Sequence, residues 1–590
     1  MTIRHLLVAL SATSVFALAT PVLAQDASVP AAVSQDAAAR LKALFDADWE
    51  WGMRESGRMP DGEGGYTESD RLAHVDPASQ ERRIAQARQM LAELDRIPLD
   101  ALSNQDRINA AVFRTNQEIT LIDGEFREWE MPFNSDSSFW TYLDESRPQR
   151  TADDYRRYIS RMRDIPRYFE EQKANMRAGL ARGFSVPRVT VEGRDQSIAS
   201  FIRTDPEASA FYAAFRQMPS SIPADEQARL RGEARAAIRE AVTPAYEALL
   251  TFYNEEYLPK TRTTVSAQAF PNGEAYYAAQ IRKYTTLDLT AQEIHQIGLS
   301  EVARIDAEMR QTMRDAGFEG TFEEFLHFLR TDPQFYAETP DELLMVSAWT
   351  AKRVDGRIGD LIGHLPRRRF TIIPVPEALA PFYTAGRGGL ASCQMNTYDL
   401  PSRPLYNIPA LTLHECSPGH SLQAALAEER DDGPAFRRYT YFSGFGEGWG
   451  LYTEWLGVEM GIYRTPYENF GRLSYEMWRA ARLVIDTGLH QQGWTRDQAI
   501  EYLASHTALS RHEVETEVDR YISWPGQALS YKLGELTIRR LRREAESALG
   551  PKFDPREFHD AILALGSVPL PVLEDRIARF IEEESTGSDS

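Results

Sequence analysis

The segment Leu411-Thr412-Leu413-His414-Glu415-Cys416-Ser417-Pro418-Gly419-His420 cannot be one continuous helix, and that prohibition constrains everything near it. Proline inside a helix removes a backbone donor and clashes with the preceding turn, while glycine tolerates dihedrals that other residues avoid. The apolar lead-in predicts a buried helix that is bulged or restarted at Pro418-Gly419. The spacing of the histidines makes the break consequential. Side chains four residues apart on a helix lie about 40° apart around its axis, whereas side chains six apart diverge by about 120°. On an unbroken helix the two imidazoles would point away from each other; a restart can swing His420 back toward His414.

Two imidazoles and a carboxylate in this arrangement point to a metal. In a His-Glu-x-x-His helix both histidines reach one zinc ion and the glutamate handles protons. His414 and His420 are accordingly read as ligands and Glu415 as the general base, with two residues inserted into the usual spacing. A catalytic zinc keeps three protein ligands and one open position, so a third donor must come from elsewhere. Glu447 fits that role. It stands in Gly444-Phe445-Gly446-Glu447-Gly448-Trp449-Gly450, where glycines allow close backbone approach before a helix continues through Leu451, Tyr452, Trp455 and Leu456. Glu454, two turns on and on the same face, is expected to orient a ligand histidine, with Glu459 in reserve. Taken alone, Glu447 is equally a helix-start carboxylate meeting the local dipole, and paired histidines are equally core residues; their conjunction favours one zinc ion. Donors for a developing oxyanion are expected between Arg520 and Lys532. Tyr521 and Tyr531 offer phenols, Arg520 and Lys532 could meet a carboxylate, and Gln527 could bond a peptide backbone.

The rest of the chain bounds what such a site serves. Residues 1–24 read as a cleaved secretory signal: Arg4, an apolar run from Leu6 to Ala19, then Pro21-Val22-Leu23-Ala24. No cysteine follows that run, so a lipid anchor is not expected, and no later stretch approaches the ~20 apolar residues of a membrane span. A periplasmic or secreted protein, without a membrane anchor after signal cleavage, is the expectation. Cys393 and Cys416 are the only cysteines, which excludes a disulfide framework and leaves a single bridge open. A nucleophilic Cys416 is disfavoured by the adjacent Glu415. The net charge of −21, from 66 basic and 87 acidic residues, argues against nucleic acid and anionic membranes as partners.

With 590 residues, 43% of them hydrophobic, the chain can bury more than one domain-sized core. Helical periodicity dominates from Ala37 onward, so the class is mainly α. Between Thr151 and Gly183, for example, Tyr155, Tyr158, Met162, Ile165, Phe169 and Met176 form an apolar stripe that reads as core packing. Ala224 to Tyr257 and Ala291 to Ala316 repeat the pattern. Leu258-Pro259-Lys260-Thr261-Arg262 and the turn at Pro271-Asn272-Gly273 suggest a boundary between an N-terminal helical region, 25–260, and a catalytic region, 261–590, which could pack as one body. Extended structure is expected at Arg369 to Val375 and around Gln394 to Tyr406. The second segment leads into the His414 helix, where an edge strand could bond an extended peptide.

Together, His414-Glu415-x-x-Pro418-Gly419-His420-x-x-Gln423, Glu447-Gly448-Trp449-x-x-Tyr452-x-Glu454, and Arg520-Tyr521 followed by Pro525-Gly526-Gln527-Ala528-Leu529-Ser530-Tyr531-Lys532 resemble the bacterial domain-of-unknown-function 885 family over most of the mature chain. That family is similar to the glutamate-zincin peptidases, relatives of angiotensin-converting enzyme and the thimet-type oligopeptidases. The resemblance implies a large, mainly α zincin-like fold with a deep channel or cleft and a small β element beside the metal helix. It also implies one zinc ion held by His414, His420 and Glu447, with Glu415 as base. By the same resemblance Tyr521 would stabilise the tetrahedral intermediate, and His512 matches a histidine donor more loosely. The expected function is an exported zinc-dependent peptidase that hydrolyses short or unfolded peptides through a metal-activated water. A zinc-dependent amidase of non-peptide amides and a non-catalytic peptide-binding protein on the same scaffold are the alternatives. Glu415 speaks against the last, since a pure binder needs no general base.

Overall fold

A computed structural model of the chain describes residues 31–61, 65–145, 148–377, 380–430 and 433–586; the signal segment 1–24 lies outside them. Helices form where the apolar periodicity is bounded by capping residues. Ser103 accepts the Asp106 N–H and starts α1 (Asn104–Phe126), and Thr151 and Asp154 cap each other's backbone at the start of α2 (Ala152–Ala181). Tyr155, Tyr158, Met162, Ile165, Phe169 and Met176 are all buried on α2, against Tyr246, Leu249 and Tyr253 of the helical run 224–257. Each such side chain contributes about 1.5–3 kcal/mol by leaving water, so the stripe alone accounts for much of this layer's cohesion. A third helix, α3 (Ala291–Asp315), is started by a reciprocal cap between Thr290 and Glu293.

Strands are few, in keeping with a mainly α chain. Apart from a short hairpin, Arg58–Pro60 with Tyr66–Glu68, the described residues hold one three-stranded sheet: β1 (Thr371–Pro374), β2 (Gly386–Gly388) and β3 (Ser392–Met395). The order is β1-β3-β2, with β1 parallel and β2 antiparallel to the central β3. Extended structure within Arg369 to Val375 is therefore present as β1. The second expected segment needs correction: only Gln394 and Met395 belong to a strand, and the chain beyond them forms 3-10 turns at Leu400–Ser402 and Leu405–Asn407. Pro401 and Pro404, which lack the N–H a ladder requires, stand in the first of these turns and at the start of the second.

These turns lead into α4 (Ile408–Glu415); the chain then breaks and resumes as α5 (His420–Glu428). Around them stand α6 (Ser443–Glu459), α7 (Pro466–Gln491), α8 (Arg511–Ser523) and α9 (Ser530–Leu549). α7 is buried on nearly every side and packs along α3, where Gly298 meets Leu483 and Val484. Cys393 on β3 and Cys416 just beyond α4 form a disulfide, which ties the sheet to the break. At the anticipated boundary the chain makes a 3-10 turn, Leu258–Lys260, and Asn272 takes a left-handed conformation at φ 56°. Cores nonetheless run across it. Ile108 and Val112 of α1 cluster with Trp449, Tyr452 and Ile538, while Phe126 and Phe184 cluster with Tyr276, Leu529 and Leu533. Among the described residues no helix is long and apolar enough to cross a membrane.

Candidate metal centre

The break between α4 and α5 is a built turn. Gly419 donates its N–H to the Leu413 carbonyl at 3.0 Å, and the N–H groups of Ser421 and Leu422 both reach the Cys416 carbonyl, at 3.0 and 3.2 Å. A side chain at Gly419 would collide with the His414 carbonyl, so only glycine closes this path. The Ser417-Pro418 bond is cis. α6 clamps the turn from outside: Trp449 Nε1 donates to the Pro418 carbonyl at 2.9 Å, and Thr453 Oγ1 donates to the Leu413 carbonyl at 3.0 Å. The consequence is convergence. The rings of His414 and His420 lie 4.9 Å apart between centres, and their Nε2 atoms stand 3.5 and 3.3 Å from Glu447 Oε2. One donor atom from each of the three residues lies within 4.8 Å of the others.

Second contacts orient these donors. His414 Nδ1 lies 2.8 Å from Glu454 Oε1, so that nitrogen donates to the carboxylate and Nε2 is directed at the cluster. Tyr441 Oη donates to Glu447 Oε1 at 3.0 Å. A β carbon at position 450 would stand 2.7 Å from His414 Nε2, so Gly450 leaves the imidazole its room. Burial works against charging His414, but its hydrogen bonds to Glu447 and Glu454 and the charge of Glu415 outweigh it and push the imidazole up to about 9. Burial also opposes charge on Glu447, yet His420 and His414 hold its carboxyl well below the usual range. His414 and Glu447 thus hold each other in their charged forms. Two imidazoles and one carboxylate, with one imidazole oriented by a buried glutamate, are a donor set that fits zinc.

The cluster opens into a cleft of about 790 Å³. Glu415 lines it, and its Oε2 accepts the Gly388 N–H at 2.6 Å, so the carboxylate is held against the outer strand β2. Gly386, Arg387 and Gly388 line the same wall.

The residues expected between 520 and 532 divide. Tyr531 lines the cleft with its ring centre 6.4 Å from that of His414, and its hydroxyl accepts from Arg520 Nη2 at 3.2 Å. Arg520 lines the cleft too, and Gln527, buried, accepts from Arg520 Nη2 at 2.8 Å. Tyr521 does not reach it. Its hydroxyl accepts from Trp478 Nε1 at 2.8 Å and Arg482 Nε at 3.0 Å, behind a wall that those α7 residues form. Lys532 is fully buried and spent on Glu476, Glu535 and Glu301 at 2.9, 2.9 and 3.1 Å, so it too is not a cleft residue. His512 is exposed on α8, and Glu459 pairs with Arg542 at 2.8 Å rather than with a histidine. Sequence reasoning missed Tyr441, Arg387, Arg479 and Arg482, all of which line the cleft. The last two belong to a series on α7, Arg472, Glu476, Arg479, Arg482 and Asp486, whose three- and four-residue spacing resembles a solvated face but is buried throughout.

A profile of the family described as bacterial proteins of unknown function, DUF885, matches residues 60–577. No curated protein sequence matches the chain. Among solved structures, a protein described as a lipoprotein from Colwellia psychrerythraea is 27% identical, with a TM-score of 0.85 over 93% of this chain and 99% of its own. A second, described as a lipoprotein of unknown function from Shewanella oneidensis, is 17% identical, with a TM-score of 0.66 over 92% of this chain and 99% of its own, a likeness of fold alone.

Proposed function

The chain belongs to the DUF885 family of bacterial proteins, and on that premise we propose that it is an exported zinc-dependent peptidase acting on short or unfolded peptides. The observation that carries this reading is the convergence of His414, His420 and Glu447 at the floor of a cleft that Glu415 also lines. His414, His420 and Glu447 would hold the ion, with Glu454 fixing His414. When bound, zinc lowers the pKa of a coordinated water to ~7 and polarises a carbonyl oxygen. Glu415, anchored through Oε2 by the Gly388 N–H, takes the proton of the attacking water and returns it to the leaving amine. Tyr531 Oη accepts from Arg520, which leaves its O–H free to donate to the developing oxyanion. As the outer strand beside Glu415, β2 suits an extended peptide backbone laid along it. The apolar leader of the sequence, the disulfide and the likeness to proteins described as lipoproteins support export.

Two measurements test the proposal. Metal analysis of purified, zinc-supplemented protein is expected to give about one zinc per chain, and its absence would leave a peptide-binding scaffold as the better reading. Glu415→Gln is expected to retain the metal and lose turnover of a peptide library; undiminished cleavage would refute the role of Glu415. Library products also separate a peptidase from an amidase of non-peptide amides.

A further inference from the structure

The strand β2 offers a single side chain to whatever lies along it. Gly386 and Gly388 turn toward the join of α4 and α5, where a β carbon on the first would stand 3.5 Å from Glu415 Cγ and one on the second 2.5 Å from His420 Cβ. Alternation along a strand sends Arg387, between them, to the opposite face, where it lines the cleft and is exposed. Tyr383, hydrogen-bonded to it, and Glu415 favour its charge, and no carboxylate pairs with it among the described residues. A second accessible guanidinium belongs to Arg438. It ends the 3-10 turn Ala435–Arg438, lines the cleft, is exposed, and has no partner among the described residues. Its segment is held on both sides: Phe436 packs edge-on against Phe45 and Phe113, and Tyr439 stacks on Trp49 at 5.2 Å. The other charges of the cleft are largely matched. Arg437, Arg479, Arg482 and Arg520 all have partners inside the protein. Glu415 accepts from Gly388, Glu447 faces both histidines and Glu428 pairs with Arg368, which leaves Asp136, whose charge bears on Arg520. The charge open to a ligand is therefore two guanidinium groups against one carboxylate, in a chain that carries −21 overall.

Resting on the peptidase reading above, we propose that Arg387 and Arg438 make the cleft selective for acidic peptides by meeting glutamate or aspartate side chains close to the bond that is cut. A guanidinium keeps a fork of N–H donors for a carboxylate and holds its charge at any working pH. In an extended peptide paired with β2, the residue directly across from Arg387 has its β carbon about 4.5–5.5 Å away, where opposite charges attract and like charges repel. The Gly388 N–H that holds Glu415 belongs to the next residue along the strand, so the acidic residue that Arg387 selects lies within about two residues of the attacked carbonyl. Arg438 supplies a second contact from a different wall, on the segment that leads to Tyr441 and its bond with Glu447.

The test uses the zinc-loaded full chain without its signal segment and three hexapeptides, acetylated and amidated at their ends so that no terminal charge enters. Their central pair of residues is glutamate, glutamine or lysine in an otherwise neutral sequence. In kcat/KM the glutamate peptide is expected to exceed the glutamine peptide by about tenfold, with the lysine peptide lowest. The advantage is expected in KM more than in kcat, and to shrink as added salt shortens the Debye length from ~10 to ~3 Å. The glutamate-to-glutamine ratio is expected to fall about threefold in Arg387→Gln and in Arg438→Gln and toward unity in the double variant, with Arg387→Lys retaining part of it. Both positions are exposed, so these variants leave the core untouched. Equal kcat/KM for the glutamate and glutamine peptides would overturn the selection and leave the peptidase standing; a ratio unchanged in the double variant would overturn it as well. If none of the peptides is cleaved, the peptidase reading falls, and calorimetry of the glutamate and glutamine peptides on wild type and double variant decides the selection alone. Tighter binding of the glutamate peptide that is lost in the double variant supports it, and equal binding overturns it.

Discussion

At position 450 a single methyl group would stand 2.7 Å from His414 Nε2, inside the van der Waals envelope of an atom of the proposed zinc site. Gly450→Ala is expected to displace the imidazole and weaken zinc binding by about 10- to 100-fold, read by competition against a chromophoric chelator, with the far-ultraviolet circular dichroism unchanged. His559, outside the cleft lining and packed against Trp449, tests the electrostatics of the core. Its Nδ1–H donates to the Leu361 carbonyl at 2.7 Å and its Nε2 accepts the Tyr452 hydroxyl at 2.8 Å, so the neutral ring is fully satisfied and no site remains for a second proton. Burial pushes this histidine down from 6.5 to about 3. The folded state then refuses a proton that the unfolded chain accepts, and the stability His559 contributes is present above pH 6.5 and is lost as pH falls toward 3. In denaturant titrations, the stability difference between wild type and His559→Gln is expected to narrow by up to about 1.4 kcal/mol per pH unit below that midpoint.

Among the elements, the join between α4, α5 and α6 governs the site. Trp449→Phe keeps most of the ring's bulk and removes the donor to the buried Pro418 carbonyl, which is then left unpaired. A loss of about 1–3 kcal/mol in unfolding free energy is expected, accompanied by weaker zinc retention during dialysis. Much of this join was legible in the sequence. Pro418-Gly419 dictated a break, and the sequence neighbours of His414 and Glu447 pointed to the side chains that converge there, because donor chemistry is written in residue type and local spacing. Orientation was not legible in the same way. Whether Tyr521 or Tyr531 meets the cleft depends on how α8 and α9 are turned against α7, and Tyr521 faces Trp478 and Arg482 instead. The strand β2 escaped for another reason: Gly-Arg-Gly has no alternation of its own and is a strand only because β3 pairs with it. The charged series on α7 was equally opaque, since only tertiary packing distinguishes a buried ion-pair helix from a solvated one.

For the molecule as a whole, the donors of the proposed zinc site come from three separate helices, so an ion there would act as a fastener between α4, α5 and α6. Binding to the folded chain alone stabilises it by about 2.7 kcal/mol when free zinc exceeds the dissociation constant a hundredfold. Thermal midpoints are expected to rise with zinc concentration and to fall on chelation, and a midpoint indifferent to zinc would contradict occupancy of this cluster. The same whole-molecule view gives the Cys393–Cys416 bridge a role in time. His414 sits between the two cysteines in the sequence and is thereby enclosed in a covalent ring that a chain in a reducing compartment cannot close. On the proposed reading of an exported zinc enzyme, maturation would have an order, transport first, oxidation second and metal third, which would delay a fully constrained hydrolytic centre until the protein had left the compartment where it was made.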